Sequence, residues 1–261
     1  MTISLHGTVA LVTGAGGGIG GATCAALLEG GAIVIATDLS STPAGKRPAG
    51  CEWLDLDVTD EDNWANVMAD VDKRHGRLDI LVNNAGVSIV ERFEDVTLAS
   101  WRKTMSINVE GVFLGIRAAV PLLRKGGARR PGGASVISLS SVAGIVGAEF
   151  NAAYCASKGA VKMMTKALAM EFSALGYPIR INSIHPGGIE TGMLESIFKS
   201  YVDVGAVDDP KIAYDAAVRA HALGRMGKPS EIAAGIRFMA SDEASNMHGA
   251  EMVLDGGFSA R

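Results

Sequence analysis

Tyr154 and Lys158 stand one helical turn apart in a stretch of helical periodicity, so their side chains share a face. A free phenol titrates near pH ~10 and is a poor base at neutral pH, but an ammonium beside it favours the phenolate. Such a pair can take a proton from an alcohol. Ser141, upstream at the end of a β-branched run, carries a hydroxyl able to hold the same oxygen. The bland alternatives are an ordinary solvated stripe, Lys158 with Lys162 and Lys166, and one serine among several in residues 138–141. Cys155, beside the tyrosine, has no His or Asp near it in sequence to activate a thiolate and reads as packing. The histidines and cysteines show no ligand spacing, so no metal is expected.

A second constellation lies near the N-terminus. A strand over 9–13 runs directly into Gly14-x-x-x-Gly18-x-Gly20 and then a helix. Glycines there permit positive φ, let the backbone approach a pyrophosphate and aim free N–H groups of the helix at it. A competing register, Gly16-x-Gly18-x-x-Gly21, satisfies the more familiar dinucleotide fingerprint. The first is preferred because its leading glycine touches the strand end. Asp38 closes the second predicted strand, where a carboxylate accepts hydrogen bonds from an adenosine ribose and repels the extra phosphate of NADP. Gly17 and Leu39 occupy positions where a basic residue would be needed to receive that phosphate. The expected cofactor is therefore NAD. The alternative for Asp38 is a turn cap.

Placing these groups requires a parallel sheet. Apolar β-branched runs predict strands over 9–13, 33–38, 53–57, 80–83, 135–140, 180–185 and 251–254, with helices over 18–29, 60–75, 98–125 (with a break), 151–175 and 230–241. Gly/Pro clusters at 43–50 and 126–133 fall between elements, so one α/β domain spanning 1–261 is expected. Residues 187–226 are irregular apart from Leu194, Ile197, Phe198 and Tyr201, which make one face of a short helix. Inserted after the carboxyl end of a strand, that segment is either a hydrophobic substrate lid or an extra core helix.

Composition narrows the class. With 24 Lys and Arg against 28 Asp and Glu the formal charge is −4, which disfavours nucleic acid as a partner. With 48% hydrophobic residues the chain can fill a large core, and 33 glycines with few aromatics suit tight turns around an aliphatic sheet. Cys24, Cys51 and Cys155 form no disulfide or zinc pattern, and the first basic residue is Lys46, so a reducing, cytoplasmic setting without a secretory leader is expected. Residues 3–28 carry no Asp, Glu, Lys or Arg, yet the glycines of the turn argue for strand, turn and helix rather than a membrane span.

Taken together, the residues resemble the short-chain dehydrogenase/reductase family from the glycine turn to the C-terminus. The signatures are Thr13-Gly14-Ala15-Gly16-Gly17-Gly18-Ile19-Gly20, Asp57-Val58, Asn83-Asn84-Ala85-Gly86, Asn108, Ser141, Tyr154-Cys155-Ala156-Ser157-Lys158 and Pro186-Gly187 with Thr191. The resemblance implies a single doubly wound Rossmann domain with a seven-stranded parallel sheet and a helical substrate lid. It implies Tyr154 as general acid/base, Lys158 orienting the nicotinamide ribose and lowering the tyrosine pKa, Ser141 holding the substrate oxygen, and Asn108 kinking its helix and holding a water that passes protons to Lys158. Asn108 also reads simply as a helix cap. By the same resemblance Gly14, Gly18, Ile19 and Gly20 meet the pyrophosphate and Asp57 and Val58 flank the adenine. Asn84, Ala85 and Gly86 support the sheet beside the cofactor, Pro186 and Gly187 belong to its site, and Thr191 touches the carboxamide.

The implied reaction is reversible oxidation of a secondary alcohol to a ketone. The expected lining, Val142, Ile145, Val146, Phe150, Leu194, Phe198 and Tyr201 with Lys199 the only basic residue, favours a hydrophobic small-molecule substrate. His185-Pro186-Gly187 and Leu254-Asp255-Gly256-Gly257 look like members acting on alicyclic alcohols and hydroxysteroids. A 3-oxoacyl thioester reductase is the enzyme alternative, with Arg124, Lys125, Arg129 and Arg130 as a docking surface for the acyl carrier. A non-catalytic NAD-sensing or scaffold protein is the alternative of another class, and retention of Ser141, Tyr154 and Lys158 speaks against it. Small residues Ala152, Ala156, Gly159 and Ala160 allow close approach of another helix, and the resemblance implies a homotetramer.

Overall fold

In a strand, successive side chains point to opposite faces, and here both faces must be apolar. In β1 (Val9–Thr13) Leu11 joins one buried layer while Ala10 and Val12 join the other, so the run reads as continuously hydrophobic. The computed structural model describes residues 3–260. Its remaining strands are β2 (Ile33–Asp38), β3 (Glu52–Asp55), β4 (Ile80–Asn83), β5 (Ala134–Leu139), β6 (Ile179–Pro186) and β7 (Glu251–Leu254). All pair in parallel in the order β3-β2-β1-β4-β5-β6-β7.

Helices cover both faces. On one lie α2 (Glu61–His75), α4 (Gly111–Gly127) and α5 (Ala152–Ala174), whose Trp64, Leu123 and Phe172 pack against Leu11, Leu81, Val136 and Ile181. On the other lie α1 (Gly18–Glu29) and the final long helix over Pro229–Ala240, whose Leu27, Ile232 and Met239 pack against Val12, Val34 and Ile137. This is a seven-stranded Rossmann-like α/β fold. Strand order reverses between β1 and β4, which opens a crevice outside their carboxyl ends.

Several boundaries differ from the sequence expectation. The third strand stops at Asp55 because the Asp57 carboxylate takes the N–H and hydroxyl of Thr59, at 2.9 and 2.7 Å, turning the chain toward α2. The expected break in the long apolar helix is a π turn at Ser106–Glu110 between α3 (Leu98–Met105) and α4. Leu98–Gly127 is long and apolar enough to cross a membrane, but Leu114, Ile116 and Leu123 lie in the core. Residues 187–226 hold two helices rather than one, α6 (Gly192–Asp203) and α7 (Pro210–Ala220). The signal for the second was Asp209-Pro210, a cap whose carboxylate accepts the Lys211 N–H at 2.7 Å followed by proline at the first helical position. The last helix, Pro229–Ala240, becomes α8.

Candidate active site

The turn after β1 is a cradle that only glycine fits. Gly14 has φ 64° and a Cβ there would lie 2.9 Å from the Ala85 Cα, while a Cβ on Gly20 would collide with the Gly14 carbonyl oxygen. Gly18 abuts the Thr191 methyl, where a Cβ would come within 2.8 Å. Gly16 is as tight, with a Cβ there 2.7 Å from the Thr42 methyl, whereas Gly21 leaves ordinary contact at 3.4 Å, so both registers share crowded positions and only the first is crowded at all three of its glycines. Asn84 locks the turn, its amide donating to the carbonyl oxygens of Thr13 and Gly14 at 2.8 and 3.0 Å. The Thr13 hydroxyl in return accepts the N–H groups of Asn84 and Ala85, both at 3.0 Å.

A cleft of about 940 Å³ starts at this turn. One end holds Asp38, Leu39, Asp57, Val58 and Thr59, the middle holds Gly14, Gly18, Ile19, Gly20, Asn84, Ala85 and Gly86, and the other end holds Tyr154, Lys158, Pro186 and Thr191. Asp38 both faces the cleft and caps the turn, since its carboxylate accepts the N–H groups of Gly16 and Leu39, each at 2.8 Å. The turn-cap reading of that residue therefore holds, and the same carboxylate lines the cleft.

Ser141, Tyr154 and Lys158 come together at the far end. β5 delivers Ser141 and α5 carries the other two. The Ser140 hydroxyl donates to the main-chain oxygen of Lys158 at 2.8 Å and fixes the helix against the strand end. The Ser141 Oγ accepts the Ala143 N–H of its own turn at 3.1 Å and lies near enough to the Tyr154 phenol to lower its pKa. Lys158 is 5% exposed; its Nζ donates to the Leu139 carbonyl at 2.8 Å and lies 5.6 Å from the centroid of the Tyr154 ring. Asn108 is wholly buried in the π turn. Its amide oxygen accepts the Val87 N–H at 2.8 Å, and its Nδ2 donates to the Val87 carbonyl at 2.9 Å and the Ser157 hydroxyl at 3.0 Å. The side chain thus clamps the segment after β4 to α5 rather than capping a helix.

Electrostatics corrects one expectation. Burial, not the neighbouring ammonium, dominates the phenol and pushes Tyr154 above its ordinary pKa, while the Ser141 hydroxyl pulls it back. The same burial lowers Lys158 from 10.5 to about 8. A dry pocket penalises each charge taken alone, so phenolate and ammonium are best tolerated as a pair.

Three expected site residues, Asn108, Ser141 and Gly187, do not line the cleft, although Ser140 beside the serine does. Gly187 packs against Asp255 and His221 instead, where a Cβ would meet the Asp255 Cα at 2.8 Å and His221 Nε2 at 3.0 Å. Leu194, Phe198 and Tyr201 turn away to pack with Val207, Ala213 and Met226 across α6 and α7, because an amphipathic helix buries its stripe on the nearest apolar partner. The Phe150 ring stands edge-on to Tyr201 with centroids 6.1 Å apart. Sequence reading missed Lys46, Lys103, Ser106, Ile107 and Met193, which also line the cleft. Only their neighbours carried a motif, and residues that folding brings to a cleft from separate elements leave no spacing signal.

The cradle suits a dinucleotide: glycines at crowded turn positions, a helix N-terminus for phosphate, a carboxylate hydrogen-bonded to the turn, and a tyrosine–lysine pair lining the same cleft. Comparison with known proteins agrees over the whole length. The family profile described as enoyl-(acyl carrier protein) reductase matches residues 14–259. A cyclopentanol dehydrogenase of Comamonas testosteroni is 37% identical over 259 residues, 97% of each chain. The NADP-dependent (R)-specific alcohol dehydrogenase of Lentilactobacillus kefiri is 35% identical over 269 residues, covering 100% of both. The aldohexose dehydrogenase of Thermoplasma acidophilum, solved in ligand-free form, superposes with a TM-score of 0.87 at 28% identity over 99% of this chain and 97% of its own. With the profile spanning nearly the full sheet and relatives matched end to end, the chain belongs to the short-chain dehydrogenase/reductase family, and is an oxidoreductase that uses a nicotinamide cofactor.

Proposed function

We propose that this oxidoreductase interconverts a hydrophobic secondary alcohol, alicyclic or steroid-like, and its ketone, with NAD as cofactor. The observation that carries the reading is that Tyr154 and Lys158, with Ser141 close behind the phenol, share one cleft with the glycine turn and Asp38. NAD rather than NADP follows from the Asp38 carboxylate, whose charge opposes a further phosphate beside it. Lys46 and Lys103, which line the same cleft, and the NADP-dependent relative from Lentilactobacillus kefiri are the counterweights. A relative from Comamonas acts on cyclopentanol by its name, which supports the substrate class.

In this reading Gly14, Gly18, Ile19, Gly20, Asp38, Asp57, Val58, Asn84, Ala85, Gly86, Pro186, Gly187 and Thr191 hold the dinucleotide. When bound, its nicotinamide supplies the hydride acceptor for the carbinol carbon. Ser141 holds the substrate oxygen by its hydroxyl, Tyr154 takes the hydroxyl proton at its phenolic oxygen, and Lys158 keeps the positive charge that makes the phenolate tolerable. Asn108, whose side chain ties Val87 to Ser157, is in this reading the residue that holds a water returning protons to Lys158. The chain acts as one catalytic domain, with 187–226 as its substrate loop and helical lid.

The expected assembly is a cytoplasmic homotetramer. On α4 and α5, Phe113, Met163 and Met170 are exposed, and a Cβ on Gly159 would meet nothing within 4 Å, so this outer face is free to receive another helix pair. Light scattering that gives a monomer at micromolar concentration refutes the assembly.

Reduction of an acyl-carrier thioester is the second reading, favoured by the description of the matching family profile. Against it, three of the four basic residues that would dock the carrier already have side-chain partners among the described residues, Arg129 alone being exposed without one. Lys125 pairs with Asp72 at 2.9 Å, Arg130 with Asp242 at 2.8 Å, and Arg124 stacks over Tyr177 at 4.3 Å. Absorbance at the reduced-nicotinamide band with NAD and a panel of cyclic alcohols tests the first reading. Tyr154→Phe should lower turnover by roughly 10²–10⁴-fold with NAD binding retained, and full activity in that variant removes it.

A further inference from the structure

His185, at the end of β6, is wholly buried and has no part in the proton transfer described above. Its Nδ1 lies 3.1 Å from the main-chain oxygen of Ser141 and its Nε2 lies 2.8 Å from the Ser183 hydroxyl. A carbonyl oxygen only accepts, so Nδ1 must carry a hydrogen. With the ring neutral, Nε2 is then the acceptor and Ser183 the donor, and both nitrogens are satisfied in a single tautomer.

The surroundings keep the ring neutral. Burial lowers the imidazole pKa. The charged groups facing it are Glu251 on β7, 4.0 Å from Nε2, and Lys162 and Lys158 on α5. The Glu251 carboxylate is already paired with Lys166 at 2.8 Å, so it has little call for an imidazolium partner.

The contact matters because of where it falls. The N–H of Ser140 reaches the Ile184 carbonyl at 2.9 Å as β5 runs out of strand; beyond it the chain turns and Ser141 has an extended backbone, φ −169°. The Ser141 carbonyl accepts the Gly144 N–H of its own turn at 2.9 Å, and the imidazole of His185 ties that same oxygen back to the sheet.

We propose that His185 is a positioning residue: a neutral imidazole protonated at Nδ1 and braced by Ser183, which holds the Ser141 main chain so that the serine hydroxyl meets Tyr154. The inference rests on the reading of Ser141 as the residue that holds the substrate oxygen. Its test pairs two variants with a spectroscopic measurement. His185→Leu removes the donor, whereas His185→Asn offers a side-chain amide N–H near the place of Nδ1. The leucine variant should lose roughly 10–100-fold in kcat with dinucleotide affinity within about twofold of the parent, and the asparagine variant should recover most of the loss. Parental kcat in the leucine variant, or no recovery with asparagine, overturns the proposal. Should the leucine variant fail to fold, Ser183→Ala keeps the ring and removes only its brace; a several-fold loss of kcat is expected, and parental kcat overturns the proposal.

Nitrogen-15 NMR of histidine-labelled protein at pH 7 reads the tautomer without reference to activity. A neutral ring protonated at Nδ1 is expected, and protonation at Nε2 alone overturns the proposal. Failure of the Ser141 reading is distinguishable, because it shows as parental kcat in Ser141→Ala and leaves the histidine spectrum unchanged.

Discussion

Replacing Lys158 by Met makes the cost of the buried ammonium measurable. Burial lowers this lysine from 10.5 to about 8 in the folded protein. At 1.36 kcal/mol for each tenfold change in proton affinity, the difference of 10.5 − 8 corresponds to about 3 kcal/mol of folding free energy. The sign follows from proton counting. Between pH 8 and 10.5 the unfolded chain binds the proton that the folded chain has released, so stability rises with pH across that interval. The penalty is complete below the folded value and disappears above the unfolded one. Methionine keeps the volume and has no charge, but it leaves the Leu139 carbonyl without the 2.8 Å bond from Nζ, a loss of about 1–3 kcal/mol. At pH 7 the two contributions nearly cancel; by pH 10 most of the penalty has gone from the parent and only the lost bond separates the proteins. Urea denaturation of both proteins at several pH values between 7 and 10 should show the difference moving by about 2–3 kcal/mol in favour of the parent. Effects of titrating groups that do not feel the Lys158 charge cancel in that difference, and His185, which does, is already neutral across this range. A pH-independent gap, or one that moves the other way, refutes the reasoning that Lys158 is held charged against its desolvation. The variant should also be inactive, so any stability gained at low pH would come at the expense of the chemistry.

The remaining predictions concern the other end of the cleft. Asp38→Asn keeps an oxygen for the Gly16 N–H, 2.8 Å away, but removes the charge, so the ratio of NADP to NAD efficiency should rise by about tenfold or more, read from kcat/KM with each dinucleotide; an unchanged ratio means that the ribose is read elsewhere. Asp38→Ala should shift preference the same way and also weaken both cofactors, since it frees the glycine turn. Gly20→Ala forces a methyl into the Gly14 carbonyl and should destabilise the protein by about 1–3 kcal/mol or displace the turn. Calorimetry together with nucleotide-binding fluorescence checks it, and unaltered melting and affinity would show that the turn is loose.

The glycine turn was legible because its constraint is local: Gly14 meets the strand end within a few residues, and the pattern of glycines is the pattern of forbidden Cβ positions. The same holds for Tyr154 and Lys158, one helical turn apart on α5. Strand positions followed from apolar runs, since a sheet covered on both faces leaves little room for polar residues. α7 was missed because its apolar face is short and its partner, α6, is recognisable only once the two pack together.

By itself, then, the sequence determined the order of strands and helices, the glycine cradle, and the identity of the hydroxyl and amine groups, all properties set by neighbours a few residues apart. Tertiary structure alone decided what those groups experience. It brought Lys46 and Lys103 to the cleft, turned Leu194, Phe198 and Tyr201 away from it, and set His185 behind Ser141. It also made the pocket dry enough to raise one pKa and lower another. The physical reason is that desolvation and through-space contact depend on which distant segments exclude water from a point, and that is fixed only when the sheet and its two helical layers close.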